Sequence, residues 1–119
     1  METQIESNIR TRLAVFAVLA VSGLVLTMYQ NILFMIEHEG FSLSLYIAEN
    51  YVNHASASIT NDVLVASTVF LVWLYIDSKR LEIRFWWVFV ILNYFVSFAF
   101  AFPAYLIVRE LRIKRALPA

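Results

Sequence analysis

A few side chains in this sequence could do chemistry in an apolar setting. One acid, Asp62, opens the uncharged, largely apolar run Val63–Ile76 of 14 residues. An ionised carboxylate at the centre of a membrane helix costs about 2.5–3.5 kcal/mol, so such a group faces a partner or a cavity. Arg109 follows another apolar run, and Tyr105 lies one helical turn before it, on the same face. The expected arrangement is an Asp62–Arg109 ion pair closed by Asn31 or Gln30, with Asn61, Tyr105 and Glu110 beside it. A plainer reading makes Asp62 a helix cap and lets Arg109 reach up to lipid headgroups. A third reading is catalytic: burial would keep Asp62 protonated, able to protonate an alkene whose carbocation aromatic faces stabilise. A neighbouring Arg109 opposes that reading, because a cation favours the ionised carboxylate.

Other reactive groupings are weaker. His38 and His54 could meet Glu37 or Glu39 around a metal, but their spacing matches no ligand motif, so no metal site is expected. The chain has no Cys, hence no disulfide, thiolate nucleophile or thiolate-bound metal. No phosphate-binding loop, dinucleotide fingerprint, nucleophile elbow or haem-attachment motif occurs, and no cofactor is expected.

The elements that must position these groups follow from composition. Of 119 residues, 61% are hydrophobic and 15% are charged. Soluble domains carry roughly 45–50% apolar residues, and a small domain buries only part of its chain, so the excess must face lipid. Nine Lys+Arg balance nine Asp+Glu, which argues against a nucleic-acid partner. Leu13–Ile36 and Phe85–Val108 each run 24 residues without a charge, more than the roughly 18–20 that cross a ~30 Å hydrocarbon core. Val63–Ile76 covers only about 21 Å as a helix, so a full span must reach back to near Ala57 and carry Asp62 about 7–8 Å inside the membrane. The expected fold is an all-α membrane protein: one domain over 1–119, with three transmembrane helices at about 13–36, 57–76 and 85–108. A secretory leader cut near Ala20-Val21-Ser22 competes for the N-terminus, but the apolar run continues past that point, and Glu2 and Glu6 spoil a basic leader.

The loop Glu37–Ser58 has no Lys or Arg, and Gly40 is placed to end the first helix. Apolar Phe41, Leu43, Leu45, Tyr46, Ile47, Tyr51 and Val52 alternate with polar residues, which predicts a short interfacial helix over about 41–53. Basic residues gather on cytoplasmic segments. With three spans, Arg10, Arg12, Lys79, Arg80 and Arg84 lie inside, and Arg109, Arg112, Lys114 and Arg115 lie outside. Five against four places the N-terminus in the cytoplasm by a narrow margin, and also fits insertion in both orientations.

Within the spans, Pro103 removes a backbone bond to Ala99 and predicts a kink. Ala20, Gly23, Thr27 and Asn31 make a small face suited to close packing, and Asn93 is expected to hydrogen-bond across helices. Trp86 and Trp87 beside Arg84 read as an interfacial anchor. Phe95, Phe98, Phe100 and Phe102 could line an apolar groove.

Several of these segments together resemble a known family. They are Asn61-Asp62, the aliphatic run from Asp62 to Trp73, Asp77-Ser78-Lys79-Arg80-Leu81-Glu82, Phe85-Trp86-Trp87 and Pro103-Ala104-Tyr105-Leu106-Ile107-Val108-Arg109-Glu110. The chain is similar there to small bacterial integral membrane proteins catalogued as domain of unknown function 2834. The similarity covers roughly 12–115 and is strongest after Ile59. Ser97 stands where that pattern has Gly, and Tyr105 where it has an apolar residue. The resemblance implies a small helical inner-membrane protein and no established activity, substrate or cofactor.

Three functions fit these observations. The first is a non-catalytic accessory subunit or lipid- or isoprenoid-binding membrane protein, with the bilayer, a larger membrane complex or a second copy as partner. The second is an enzyme using Asp62 as an acid on an isoprenoid-like molecule. The third is a small oligomeric proton-coupled transporter, which the lack of paired repeats and of a second charge within the spans disfavours.

Overall fold

The computed structural model describes residues 4–116. Its helices, in order, are α1 (Gln4–Glu37), α2 (Leu43–Glu49), α3 (His54–Arg80), α4 (Trp87–Phe95) and α5 (Phe98–Ala116). No strand occurs among the described residues.

The long uncharged runs make α1 and α3. Both are long and apolar enough to cross a membrane, and only 6% of the most apolar stretch of α1 and 11% of that of α3 is buried. A core helix of a soluble fold buries an apolar stripe. Here α1 buries only Ile9, Ala20 and Phe34, and Val18, Val21, Leu26 and Ile36 stand more than half exposed.

Helix ends are set by local chemistry. Asn53 caps α3: its side chain accepts from the Ser56 amide at 2.8 Å, while Ser56 Oγ accepts from the Asn53 amide. At the other end of α3, Ile83 N–H reaches the Ser78 carbonyl (2.8 Å), Glu82 N–H reaches Lys79, and Glu82 takes φ 58°. That is a Schellman stop with Glu at the left-handed position, which usually holds Gly. The end of α1 repeats it, with Glu39 left-handed at φ 55° and Gly40 N–H bonded to Met35. The expected short helix in the first loop is present as α2, capped by Ser42.

The expected third spanning helix, over about 85–108, is not one continuous helix. Phe85–Val108 contains a break at Val96-Ser97, and α4 folds back against α5. Both amides at the break bond to the Leu92 carbonyl at 3.0 Å, ending α4. Ser97 then starts α5: its Oγ accepts from the Phe100 amide at 3.1 Å and its carbonyl from the Ala101 amide. An uncharged run long enough to span can also be two shorter helices when a capping residue interrupts it.

Residue pairs give the directions of packing. Arg12 meets Glu110 and Gly23 meets Ala99, eleven residues further on in one helix and eleven back in the other, so α1 and α5 are antiparallel. Phe70 lies on Phe102, Asp77 on Tyr105 and Arg109, and Leu81 on Arg112, so α3 and α5 are parallel. Phe89 sits 5.3 Å from Tyr105, which closes the α4–α5 hairpin. The core is Phe70, Leu74, Ile83, Phe89, Ala101 and Tyr105, gathered where these helices meet.

Direction has a consequence for charge. The start of α1, the end of α3 and the end of α5 lie together. All nine Lys and Arg of the chain are on these segments or the Leu81–Trp86 connection. The expected split of five against four is therefore corrected: it required α5 to end at the far side, and the hairpin brings it back.

Candidate functional site

The final turns of α3 and α5 run side by side, and their charges meet at Asp77. Its side chain is 1% exposed. Oδ1 accepts from Arg80 Nη2 at 2.8 Å, while Oδ2 accepts from Tyr105 Oη at 2.7 Å and Arg109 Nε at 2.9 Å. Tyr105 is wholly buried, with its ring edge-on to Trp73 at 5.5 Å. Trp73 also lies under the Arg109 guanidinium, 5.7 Å from its centre. A buried carboxylate is tolerated when its lone pairs are filled by donors and a counter-charge. Both oxygens here accept, and two of the three bonds come from cations.

Two further contacts fasten the same end. Glu110, 7% exposed in its side chain, takes both Nε and Nη2 of Arg12 at 3.0 and 3.2 Å, a two-pronged bond that ties α1 to α5. Arg112 Nε donates to the Leu81 carbonyl at 2.9 Å, filling an acceptor that the end of α3 leaves open. Beside these bonds an open groove of about 740 Å³ runs between the α3–α4 connection and α5, with Arg84, Arg112 and Arg115 on its rim.

The opposite end holds a different set. Tyr46 of α2 stands edge-on to Phe34 at 5.2 Å and donates its hydroxyl to Asn31 Oδ1 at 2.9 Å. Tyr51 donates to Asn61 Oδ1 at 2.8 Å. His38 Nδ1 lies 2.9 Å from the Phe34 carbonyl and Nε2 lies 3.1 Å from Glu49 Oε1. Both partners are acceptors, so both ring nitrogens donate only in the imidazolium. The Phe34 carbonyl, and after it the Glu49 carboxylate, raise the His38 pKa above 6.5. Gln30 lies exposed on the rim of a shallow groove there, with Asn31 and Tyr46.

The expected cluster is thus divided. Tyr105, Arg109 and Glu110 belong to the basic end; Gln30, Asn31, Asn61 and Asp62 belong to the α2 end. Asp62 is exposed on α3, fifteen residues before Asp77 and so about 22 Å from it along the helix. Arg109 pairs with Asp77, not with Asp62. The expected pair required α5 to end beside the start of α3, and α5 ends beside the finish of α3 instead. Asn93 also departs from expectation. It is buried on α4, but its Oδ1 has no hydrogen-bond partner among the described residues.

Asp77 was hidden in the sequence by its neighbours, because an acid beside Lys79 and Arg80 reads as part of a solvated loop. The signal that could have found it is the Asp77/Arg80 spacing of three, paired with Tyr105/Arg109 at four: each pair lies on one helix face. Chemically the network is a carboxylate held by three donors, two of them cationic, a clamp and not a free acid. No three His, Asp or Glu side chains converge as a metal would need among the described residues.

The family described as a protein of unknown function, DUF2834, matches residues 15–111 of this chain. The chain belongs to that family. No curated protein and no solved structure matches it.

Proposed function

We propose that this member of the DUF2834 family is a small, non-catalytic integral membrane protein of the bacterial inner membrane, an accessory subunit that packs on a larger membrane partner. In this reading α1 and α3 span the bilayer, and α4 and α5 form a re-entrant hairpin entering and leaving by the cytoplasmic face. The observation that carries it is the placement of all nine Lys and Arg at one end of two helices whose apolar sides are exposed. Cytoplasmic flanks concentrate Lys and Arg.

The hairpin fits a bilayer by length. The nine residues of α4 rise about 13 Å, less than half of a ~30 Å core. Irregular backbone at that depth is tolerated where its polar groups are satisfied by the protein, and the Leu92 carbonyl and Ser97 side chain do this at the turn.

The accessory role rests on what the hairpin leaves uncovered. α5 starts level with Gly23, so it packs on the first part of α1 and the last part of α3. The halves of α1 and α3 nearer α2 expose Val25, Leu26, Ile32, Val63, Leu64 and Val65. Asp62 lies on that uncovered stretch, which suits a contact with a partner helix better than an enclosed catalytic pocket.

Topology mapping tests this. The chain has no native Cys, so single cysteines at Asn8, Ser44 and Ala116 report position directly. Asn8 and Ala116 should label from one side and Ser44 from the other. Labelling of Asn8 and Ala116 from opposite sides would replace the hairpin by a third span. Recovery of the protein without detergent would reject the membrane reading.

A further inference from the structure

We propose that the groove between the α3–α4 connection and α5 holds one anionic phospholipid, its phosphate between Arg84 and Arg115 and an acyl chain along Phe85, Val108 and Leu111. This inference rests on the membrane reading and deepens it by naming a ligand.

Charge comes first. Three guanidiniums, those of Arg84, Arg112 and Arg115, rim the groove against one carboxylate, Glu82. Glu82 is already drawn to Arg112, at 3.5 Å, and Arg112 also donates to the Leu81 carbonyl. Arg84 and Arg115 make no hydrogen bond or ion pair among the described residues. Two cations with free donors thus face one cavity. The terminal carbonyls of α5 oppose an anion there with only about half an elementary charge, less than either guanidinium. Guanidinium donors match phosphate oxygens in pairs.

Shape and depth select a lipid. Below the arginines the walls are apolar: Phe85 is 48% and Leu111 43% exposed, with Val108 one turn nearer the core. A free phosphate gains nothing from that wall, whereas an acyl chain does, at about 25 cal/mol per Å² covered. Trp86 and Trp87 adjoin the groove, and Lys79 lies 5.4 Å over the Trp86 ring. Aromatic rings and lysines mark the headgroup level of a bilayer, the level at which lipid phosphates lie.

The test is native mass spectrometry of the full chain extracted from nanodiscs of equal phosphatidylglycerol and phosphatidylcholine. One phosphatidylglycerol should be retained in preference. Arg84→Gln with Arg115→Gln should cut that preference about 25-fold, at about fivefold for each cation near a charged headgroup. Lys114→Gln, a cation of the same turn that does not line the groove, should cost less than the roughly fivefold of either groove arginine. Arg84 and Arg115 are exposed, so their replacement leaves packing intact, and helicity by circular dichroism checks this. No lipid preference, or an equal loss with Lys114→Gln, overturns the proposal. Retention of inorganic phosphate with no lipid preference overturns the choice of a lipid. Failure of the protein to enter nanodiscs instead overturns the membrane reading beneath it.

Discussion

Gly23 of α1 lies against the backbone of Ala99 on α5, so close that an added Cβ would fall 2.6 Å from the Ala99 carbonyl carbon and nearer still to its oxygen. The same carbonyl is the one that Pro103, four residues on, cannot serve with an N–H. The proline and the glycine thus act on one backbone group: one frees it from the α5 ladder, the other lets α1 approach it.

Gly23→Ala should therefore destabilise the protein. At an ordinary helix position Gly to Ala gains about 1 kcal/mol; here the methyl meets fixed backbone, and overpacking costs about 1–3 kcal/mol. Thermal unfolding in detergent reads the sign. A rise in Tm would mean that α1 does not pack on α5 at this point.

Asp77 and Tyr105 should prove strongly coupled. Asp77→Ala leaves Arg109 without its carboxylate and Tyr105 without its acceptor, a loss of about 3–5 kcal/mol for one side of a buried pair. Tyr105→Phe removes one bond to a charged group, about 1.5–3 kcal/mol. In the double variant the Tyr105→Phe change should cost little more, because its acceptor is already gone. Additive losses would show that the hydroxyl and the carboxylate do not meet.

His38 should make the docking of α2 pH-dependent. The Phe34 carbonyl and Glu49 raise its pKa in the folded chain, so its contribution is complete below the ordinary histidine value of 6.5. It is lost as pH rises through the higher folded value. Hydrogen exchange at the α2 amides should quicken over that rise beyond its intrinsic pH dependence, and His38→Gln should remove the excess. An unchanged protection pattern would separate His38 from α2.

The long helices were legible because Leu13–Ile36 and the run around Val63–Ile76 are uncharged and apolar over many turns. The helix around Leu43–Glu49 was legible from its amphipathic pattern. The hairpin was not, because a run of 24 uncharged residues satisfies the length rule whether or not it breaks. At the break Ser97 acts as a cap, and serine is common inside membrane helices without capping anything. The misplacement of Arg109 beside Asp62 followed from that one missed turn. So did the near-even division of cations, which becomes nine at one end once α5 returns.

Ser97 accordingly stands at the reversal of the chain and caps the helix that follows it. Its Oγ is the acceptor for the Phe100 amide, one of the four amides that a helix start leaves without a partner. Ser97→Ala should cost about 1 kcal/mol, the usual loss of a cap, or more where no water replaces the bond. Ser97→Asn, which keeps an acceptor, should recover most of it. Ser97→Gly should fall between them, since Gly is also favoured at this position and frees the backbone without supplying an oxygen. Unfolding midpoints in that order would tie the hairpin to the cap. Equal stability of the Ala and Asn variants would mean that packing of Phe98 and Phe102 on Phe70 holds the turn without it.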